Sequence, residues 1–340
     1  MARNVYGLDL GTYEIKLYSK KKDNIWKAKN AIAIQDKKHI FSVGDEAYEM
    51  YEKTPSNIQV VFPMQNGVIA RFDHMQYLLQ SLLTMNKQRT RGAEYVIAVP
   101  TDVTEVEKRA FYDLVFHSAA KAKSVRIVER GIADAVGMGI DIWNESGIFV
   151  ANFGGETTEL SVLSSGGMVL NRLIKIGGVH FDMAVVNRVR HSQDFLIGRI
   201  TAETLRKQFG VFEQDPAAAQ IVAGRNLLTG VPGQESISIG VVRAAMKEPL
   251  SECVRAIKAM LDRTPPDVRR GIEQKGIFLT GGLGNLKGLS TYLEESVGLK
   301  VTAAQTPELC AAMGLKKIIL NKDYRKLTYS MLDEDYRWLR

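Results

Sequence analysis

Apolar and polar positions along the chain repeat one design twice. Residues 5–19 (VYGLDLGTYEIKLYS) and 147–164 (GIFVANFGGETTELSVLS) each enter on β-forming residues, pass through a turn of small ones and leave on β-formers again. That spacing predicts strand, turn, strand in both places, with further alternating β segments at 31–42 and 167–176. Each half then changes to helical periodicity. In the first, 75–86 has helical spacing, 95–102 reads as a buried strand stopped by Pro100, and 104–122 reads as an amphipathic helix capped by Thr104 with Glu107 three residues on. In the second, 241–263 reads as a helix tolerating Pro249, 276–282 as a strand running into glycines, and 283–298 as a helix. Residues 229–236 read as a surface turn, and segments 31–63 and 183–239 break the pattern as small outer subdomains. Two such halves imply a duplicated α/β fold, with a ligand crevice at the strand ends between them.

Composition narrows the class. The 340 residues are 45% hydrophobic and 24% charged, an ordinary soluble globular balance with ample core. No apolar run approaches the ~18 residues of a membrane span. The chain enters a strand almost at once, which leaves no room for a signal peptide. Cys253 and Cys310 fit no metal or redox spacing and are expected to be buried thiols of a reducing cytoplasm. The five histidines (His39, His74, His117, His180 and His191) share no ligand spacing. A net charge of +7 permits anionic lipid or nucleic acid as a partner, yet the basic residues are dispersed into clusters at 20–22, 87–91 and 269–270 that read as solvated surface. No zinc-finger or aromatic-basic signature is present, so no nucleic acid is expected.

Strand, glycine turn, strand is a way to aim backbone N–H groups at a phosphate. In sequence order, GLDLGT (7–12), FPMQNGVIA (62–70), AVPTDVTEVEKRA (98–110), VERGIADAVGMGI (128–140), FGGETTELSVLSSGGMV (153–169), IGRITAETLRKQFG (197–210) with GRNLLTG (224–230), and GIFLTGGLGNLKGL (276–289) resemble motifs of one family. The chain is similar to bacterial actins of the MreB/Mbl rod shape-determining family, across about residues 5–320. The resemblance implies an α/β actin-like fold of two duplicated domains with a central cleft, each carrying a small outer subdomain. Domain I would comprise 1–137 and 306–340, with an outer part near 31–63; domain II would comprise 138–305, with an outer part near 183–239. It also implies ATP or ADP with magnesium in the cleft, self-association into filaments, and ties to the membrane and the cell-wall elongation machinery.

Carried over residue by residue, Asp9 falls where the family contacts magnesium through water, and Gly11, Thr12 and Tyr13 form the first phosphate turn. Lys16 sits where eukaryotic actin keeps a phosphate-contacting lysine, and a surface role is equally open to it. Gly154, Gly155 and Thr157 form the second phosphate turn. Glu203 and Arg206 match the ribose- and adenine-contacting positions. Gly281, Gly282, Gly284, Asn285 and Leu286 match the adenosine motif. The departures fall at the phosphate end. Glu14 replaces an asparagine, and a carboxylate there repels phosphate unless a cation screens it. Asn152 replaces the aspartate that orders magnesium and the attacking water, and Glu156 replaces a glycine. Arg130 occupies the position of the water-positioning glutamate, while Glu129 survives one residue away, offset to point elsewhere. These catalytic positions (Glu129, Arg130, Asn152) imply impaired or absent ATP hydrolysis and put magnesium in doubt; Arg130 and Lys16 either stand in for the metal or pair with Glu14 and Glu156.

The loop 85–94 (MNKQRTRGAE) is basic with no paired apolar tip, which suits weak contact with anionic lipid. Residues 324–340 place Leu327, Met331, Leu332, Tyr336 and Leu339 near helical spacing, with Tyr329 and Trp338 nearby. A helix docked on the first domain and a membrane or partner helix are both open. The expectation is a cytoplasmic filament subunit, with membrane association left open. The rivals are a non-polymerising scaffold of the same fold, which would recruit partner proteins, and a kinase of the same superfamily, which needs a carboxylate base facing an acceptor and for which the sequence offers no motif.

Overall fold

The computed structural model describes residues 4–118, 121–211 and 217–332. Two five-stranded sheets share one plan. In the first half, β1 (Val5–Leu10), β2 (Glu14–Ser19) and β3 (Asn24–Lys29) form an antiparallel meander, followed by a three-stranded outer sheet of β4 (Ile32–Gln35), β5 (His39–Val43) and β6 (Ile58–Val61). A two-stranded hairpin, β7 (Met64–Gln65) and β8 (Val68–Ile69), leads on to β9 (Glu94–Val99) and β10 (Ser124–Glu129), which add in parallel beside β1. The second half repeats this with β11 (Ile148–Phe153), β12 (Thr158–Ser164) and β13 (Gly167–Ile174), then an outer sheet of β14 (Phe195–Leu196), β15 (Ala219–Asn226) and β16 (Pro232–Ser238), then β17 (Ile277–Thr280) and β18 (Val301–Ala303). The orders β3-β2-β1-β9-β10 and β13-β12-β11-β17-β18 coincide. The repeat seen in the hydrophobic pattern is therefore a repeat of topology.

The helices between strands are α1 (Asp45–Glu49), α2 (Phe72–Met85), α3 (Glu105–Phe116), α4 (Arg130–Met138), α5 (Gly178–Gln193), α6 (Arg199–Phe209), α7 (Ile239–Arg263), α8 (Pro266–Lys275), α9 (Leu289–Val297) and α10 (Cys310–Leu320). Helices α4 and α10 form a layer between the sheets, packing Val136, Leu315 and Ile318 with Val96 and Val128 of one sheet and Ile148 and Val150 of the other. Their backbones touch. A Cβ on Gly137 would lie 2.0 Å from the Cys310 carbonyl oxygen, and one on Gly314 would lie 1.8 Å from that of Ala133. Only glycine permits this crossing, and the crossing fixes how the sheets and the cleft between them meet.

Several elements differ from the sequence reading for local reasons. Thr104 caps α3 with Glu107 in a reciprocal capping box, yet the helix stops at Phe116, where the Ser118 hydroxyl donates to the Val115 carbonyl at 2.7 Å. The turn expected at 229–236 is shorter: Asn226 Oδ1 accepts from the Leu228 and Thr229 N–H groups at 2.9 and 3.0 Å, and strand β16 resumes at Pro232. The helix expected over 283–298 is split by Gly288 at φ 77° into a 3-10 turn, Gly282–Asn285, and α9. The described part of the C-terminal segment is no α-helix. Asp323–Leu327 is a 3-10 turn, and Tyr329 pairs antiparallel with Ile127 because Arg126 of the edge strand donates to the Thr328 hydroxyl and carbonyl. Leu327 is buried in the layer between the sheets, so this stretch docks on the first half. Tyr336, Trp338 and Leu339 lie outside the described residues.

Candidate functional site

Both hairpins end at the same place. The β1–β2 turn (11–13) faces the β11–β12 turn (154–157) across a cleft of about 450 Å³, lined on its third side by Gly281, Gly282, Leu283, Asn285 and Leu286. A Cβ on Gly155 would sit 2.7 Å from Tyr13 Cβ and 3.2 Å from Thr12 Oγ1, so the missing side chain is what lets the turns approach. At Gly282 a Cβ would meet nothing within 4 Å, which leaves open floor at that end.

The register of each hairpin sets its chemistry. Asp9 lies opposite Lys16 across β1–β2, with Nζ 3.6 Å from Oδ2, and Asn152 lies opposite Glu159 across β11–β12. Arg130, first residue of α4, reaches between the hairpins. Its Nη1 pairs with Glu159, its Nε lies 3.4 Å from Asp9 Oδ1, and its Nη2 donates to the Leu10 carbonyl at 3.1 Å. One turn along α4, Asp134 accepts from Asn152 Nδ2 at 2.7 Å. Arg130 is 7% exposed, Asp134 0%, Glu159 3% and Asp9 4%, so this is a buried ionic network. Burial works against the Arg130 charge, but Glu159 and Asp9 outweigh it and raise its pKa. Burial pushes Asp134 up to about 7; the Asn152 hydrogen bond opposes the shift and Asp9 adds to it.

The outer end is closed by a second network. Glu203 accepts from the Tyr13 and Tyr48 hydroxyls at 2.7 and 2.9 Å and pairs with Lys207. Burial disfavours its charge, yet the hydrogen bonds from Lys207 and Tyr13 hold it at about 2. Arg206 Nε donates to Asp182 at 2.6 Å. Glu52, beyond α1, accepts the Arg199 and Ile200 N–H groups at 3.0 and 3.3 Å and so caps α6 from the opposite lobe.

The sequence model of the MreB/Mbl protein family matches residues 3–327. The chain belongs to the MreB/Mbl family. It is 33% identical over 323 residues to the cell shape-determining protein MreB of Escherichia coli strain K12, covering 92% of each chain. It is 31% identical to the cell shape-determining protein Mbl of Bacillus subtilis strain 168, covering 95% of this chain and 97% of the relative. Among solved structures, MreB5 of Spiroplasma citri bound to AMPPNP superposes with a TM-score of 0.90 at 28% identity, covering 96% of this chain and 98% of that one. The fold is actin-like.

Within this MreB/Mbl cleft, Asp9, Gly11, Thr12, Tyr13, Glu14, Lys16, Arg130, Asn152, Gly154, Gly155, Thr157, Glu203, Arg206, Gly281, Gly282, Asn285 and Leu286 come together. Three expected residues stand elsewhere. The Glu129 carboxylate accepts from the Tyr329 hydroxyl at 2.9 Å, behind the sheet edge. Gly284 backs onto Pro307, where a Cβ would lie 2.8 Å away. Glu156 turns out of the cleft to accept the Asn66 N–H at 2.6 Å, tying the second turn to the β7–β8 hairpin, and its φ is not positive, so the loss of glycine strains nothing. Glu14 does line the cleft, but it pairs with Lys29 and lies 3.9 Å from Lys27; burial opposes its charge and these lysines outweigh it, lowering its pKa. The repulsion expected of Glu14 is thus screened, and the pairing expected of Arg130 and Lys16 with Glu14 and Glu156 is made with Asp9 and Glu159 instead. Sequence reading missed Asp134 and Glu159. A lone acid in the apolar run GIADAVG, and a residue opposite Asn152 in the hairpin register, were the available signals.

Proposed function

We propose that this chain is a subunit of actin-like filaments serving cell shape or envelope organisation, and that it holds ATP or ADP in its cleft without hydrolysing it. Family membership and the cell-shape role of the relatives in E. coli and B. subtilis support the first part. AMPPNP on the Spiroplasma citri relative, together with the glycine-lined cleft, supports the second. In this reading residues 1–137 with 306–340, and 138–305, are the two actin-like domains. Gly11–Tyr13 and Gly154–Thr157 would hold phosphates, and Gly281, Gly282, Asn285 and Leu286 the purine end.

One observation carries the loss of hydrolysis: both positions that would orient an attacking water are spent on the protein itself. Asn152 donates to Asp134, and Arg130 is committed to Glu159, Asp9 and a backbone carbonyl. A guanidinium offers donors only, so it cannot accept a proton from water. Phosphoryl transfer to water rests on positioning and charge stabilisation, and their loss costs orders of magnitude in rate. Assembly would then depend little on the phosphate state. Sedimentation and electron microscopy in ATP, in ADP and without nucleotide should give filaments in all three, with phosphate release near background. Filaments in ATP alone, or protein that never pellets, would overturn the assembly reading. Wild-type phosphate release well above background, and equal to that of an Arg130→Glu, Asn152→Asp, Asp134→Ala variant, would overturn the hydrolysis reading.

A further inference from the structure

The residues around Asp9 do not fit a divalent cation. Each carboxylate oxygen of Asp9 already faces a cation, Arg130 Nε at 3.4 Å and Lys16 Nζ at 3.6 Å. Asn152, opposite, brings no charge and is turned to Asp134. Among the described residues no group of three or more His, Cys, Asp or Glu side chains is placed to hold a metal. Asp9 and Glu159 are matched by Arg130 and Lys16, and the remaining acid, Asp134, is fully buried and accepts from Asn152, so the charge that would draw a hard cation to Asp9 is already balanced by the chain. A divalent ion at Asp9 would sit against two fixed positive charges in a site too buried for water to screen them.

We propose that Arg130 and Lys16 are this protein's built-in replacement for the metal, so that it binds adenine nucleotide without magnesium. This rests on the reading of the cleft as a nucleotide site. Arg130 neutralises Asp9 and Glu159 from beneath the turns, which keeps buried carboxylates from repelling a phosphate tail. Lys16 lines the cleft beside the first turn, 3.8 Å from where a Gly11 Cβ would be, and supplies the positive charge that faces the tail. The ammonium is a compact point charge suited to that role. The pair is covalently part of the chain, so it cannot be exchanged or chelated, and nucleotide affinity is uncoupled from the metal level.

The test is calorimetric titration of the whole chain with ADP and with ATP, in EDTA and in millimolar magnesium. The expected wild-type affinities in the two buffers agree within about threefold. Lys16→Met should lose affinity by about tenfold or more in both buffers, while Arg130→Glu should bind in magnesium and lose about tenfold or more in EDTA. Thermal unfolding without nucleotide gives a second readout. Magnesium should leave the wild-type midpoint unchanged and raise that of Arg130→Glu, which sets a new carboxylate among Asp9, Glu159 and Asp134. A wild-type affinity that falls more than about tenfold in EDTA overturns the inference and leaves the nucleotide reading intact. Absence of binding in both buffers overturns both. The wild-type comparison decides the matter even if Arg130→Glu does not fold.

Discussion

Replacing Asn152 by Asp would set a carboxylate where an amide nitrogen now lies 2.7 Å from Asp134. Two full charges at that spacing would repel by about 6 kcal/mol at an effective dielectric of ~20. The pair escapes most of this by keeping one proton, at a cost of about 1.4 kcal/mol for each pH unit by which the solution exceeds the pair's pKa. Asp134 is already pushed up to about 7 by burial. Its folded pKa lies above the unfolded value of 3.8, so its contribution to stability is full below that value and is lost as pH rises through about 7. A like charge beside it moves that window higher. Adding the lost hydrogen bond, Asn152→Asp should destabilise by about 2–3 kcal/mol at pH 8 and by less than about 1 kcal/mol at pH 5. The exchange Asp134→Asn with Asn152→Asp restores one donor and one acceptor and should recover most of the loss. Thermal unfolding in EDTA at the two pH values measures this, each kcal/mol moving the midpoint by roughly 2 °C or less for a chain of this size. Equal losses at both pH values, or an exchange variant no more stable than Asn152→Asp alone, would refute the pairing.

Tyr48→Phe removes one of the bonds closing the outer lobes, worth about 1 kcal/mol, and should speed hydrogen exchange in α1 and α6 together. Glu203 is held at about 2, below its ordinary 4.5, so the closure it provides is present above that ordinary value and is lost as pH falls towards 2. Gly155→Ala would drive a Cβ to 2.7 Å from Tyr13 Cβ, part the two turns and abolish nucleotide binding by calorimetry while both halves stay folded. Lys87, Arg89 and Arg91 are exposed beside Met85, and at about 1 kcal/mol for each basic residue near anionic lipid, flotation with phosphatidylserine vesicles should be weak and fall as salt rises. Salt-independent flotation would point to an apolar anchor instead.

Local physics made much of this protein legible in its sequence. Alternation and small-residue turns located both hairpins, because a strand's two-residue period and a turn's need for small side chains are properties of the nearest neighbours. The capping box at Thr104 was readable for the same reason. The departures at Arg130 and Asn152 were visible as residue types, and Glu129 faces away as its one-residue offset implied. What each departure does was decided by tertiary structure. Glu156 looked like a second negative group at the phosphates, but a backbone N–H from the β7–β8 hairpin, 90 residues away, draws it out of the cleft. Arg130 was expected to stand in for the metal or to pair with Glu14 and Glu156, but the β12 strand places Glu159 against it. Within the described residues, Leu327, Met331 and Leu332 keep helical spacing, yet the open edge of the first sheet captures Tyr329 in a bridge, since unpaired strand N–H and C=O groups compete with a short helix for the same hydrogen bonds. Asn152 and Asp134 make sense only as a pair, 18 residues apart and on different elements. Charges and hydrogen bonds act through space, so the partner of a buried polar group is fixed by how the elements pack, and sequence order does not carry that information.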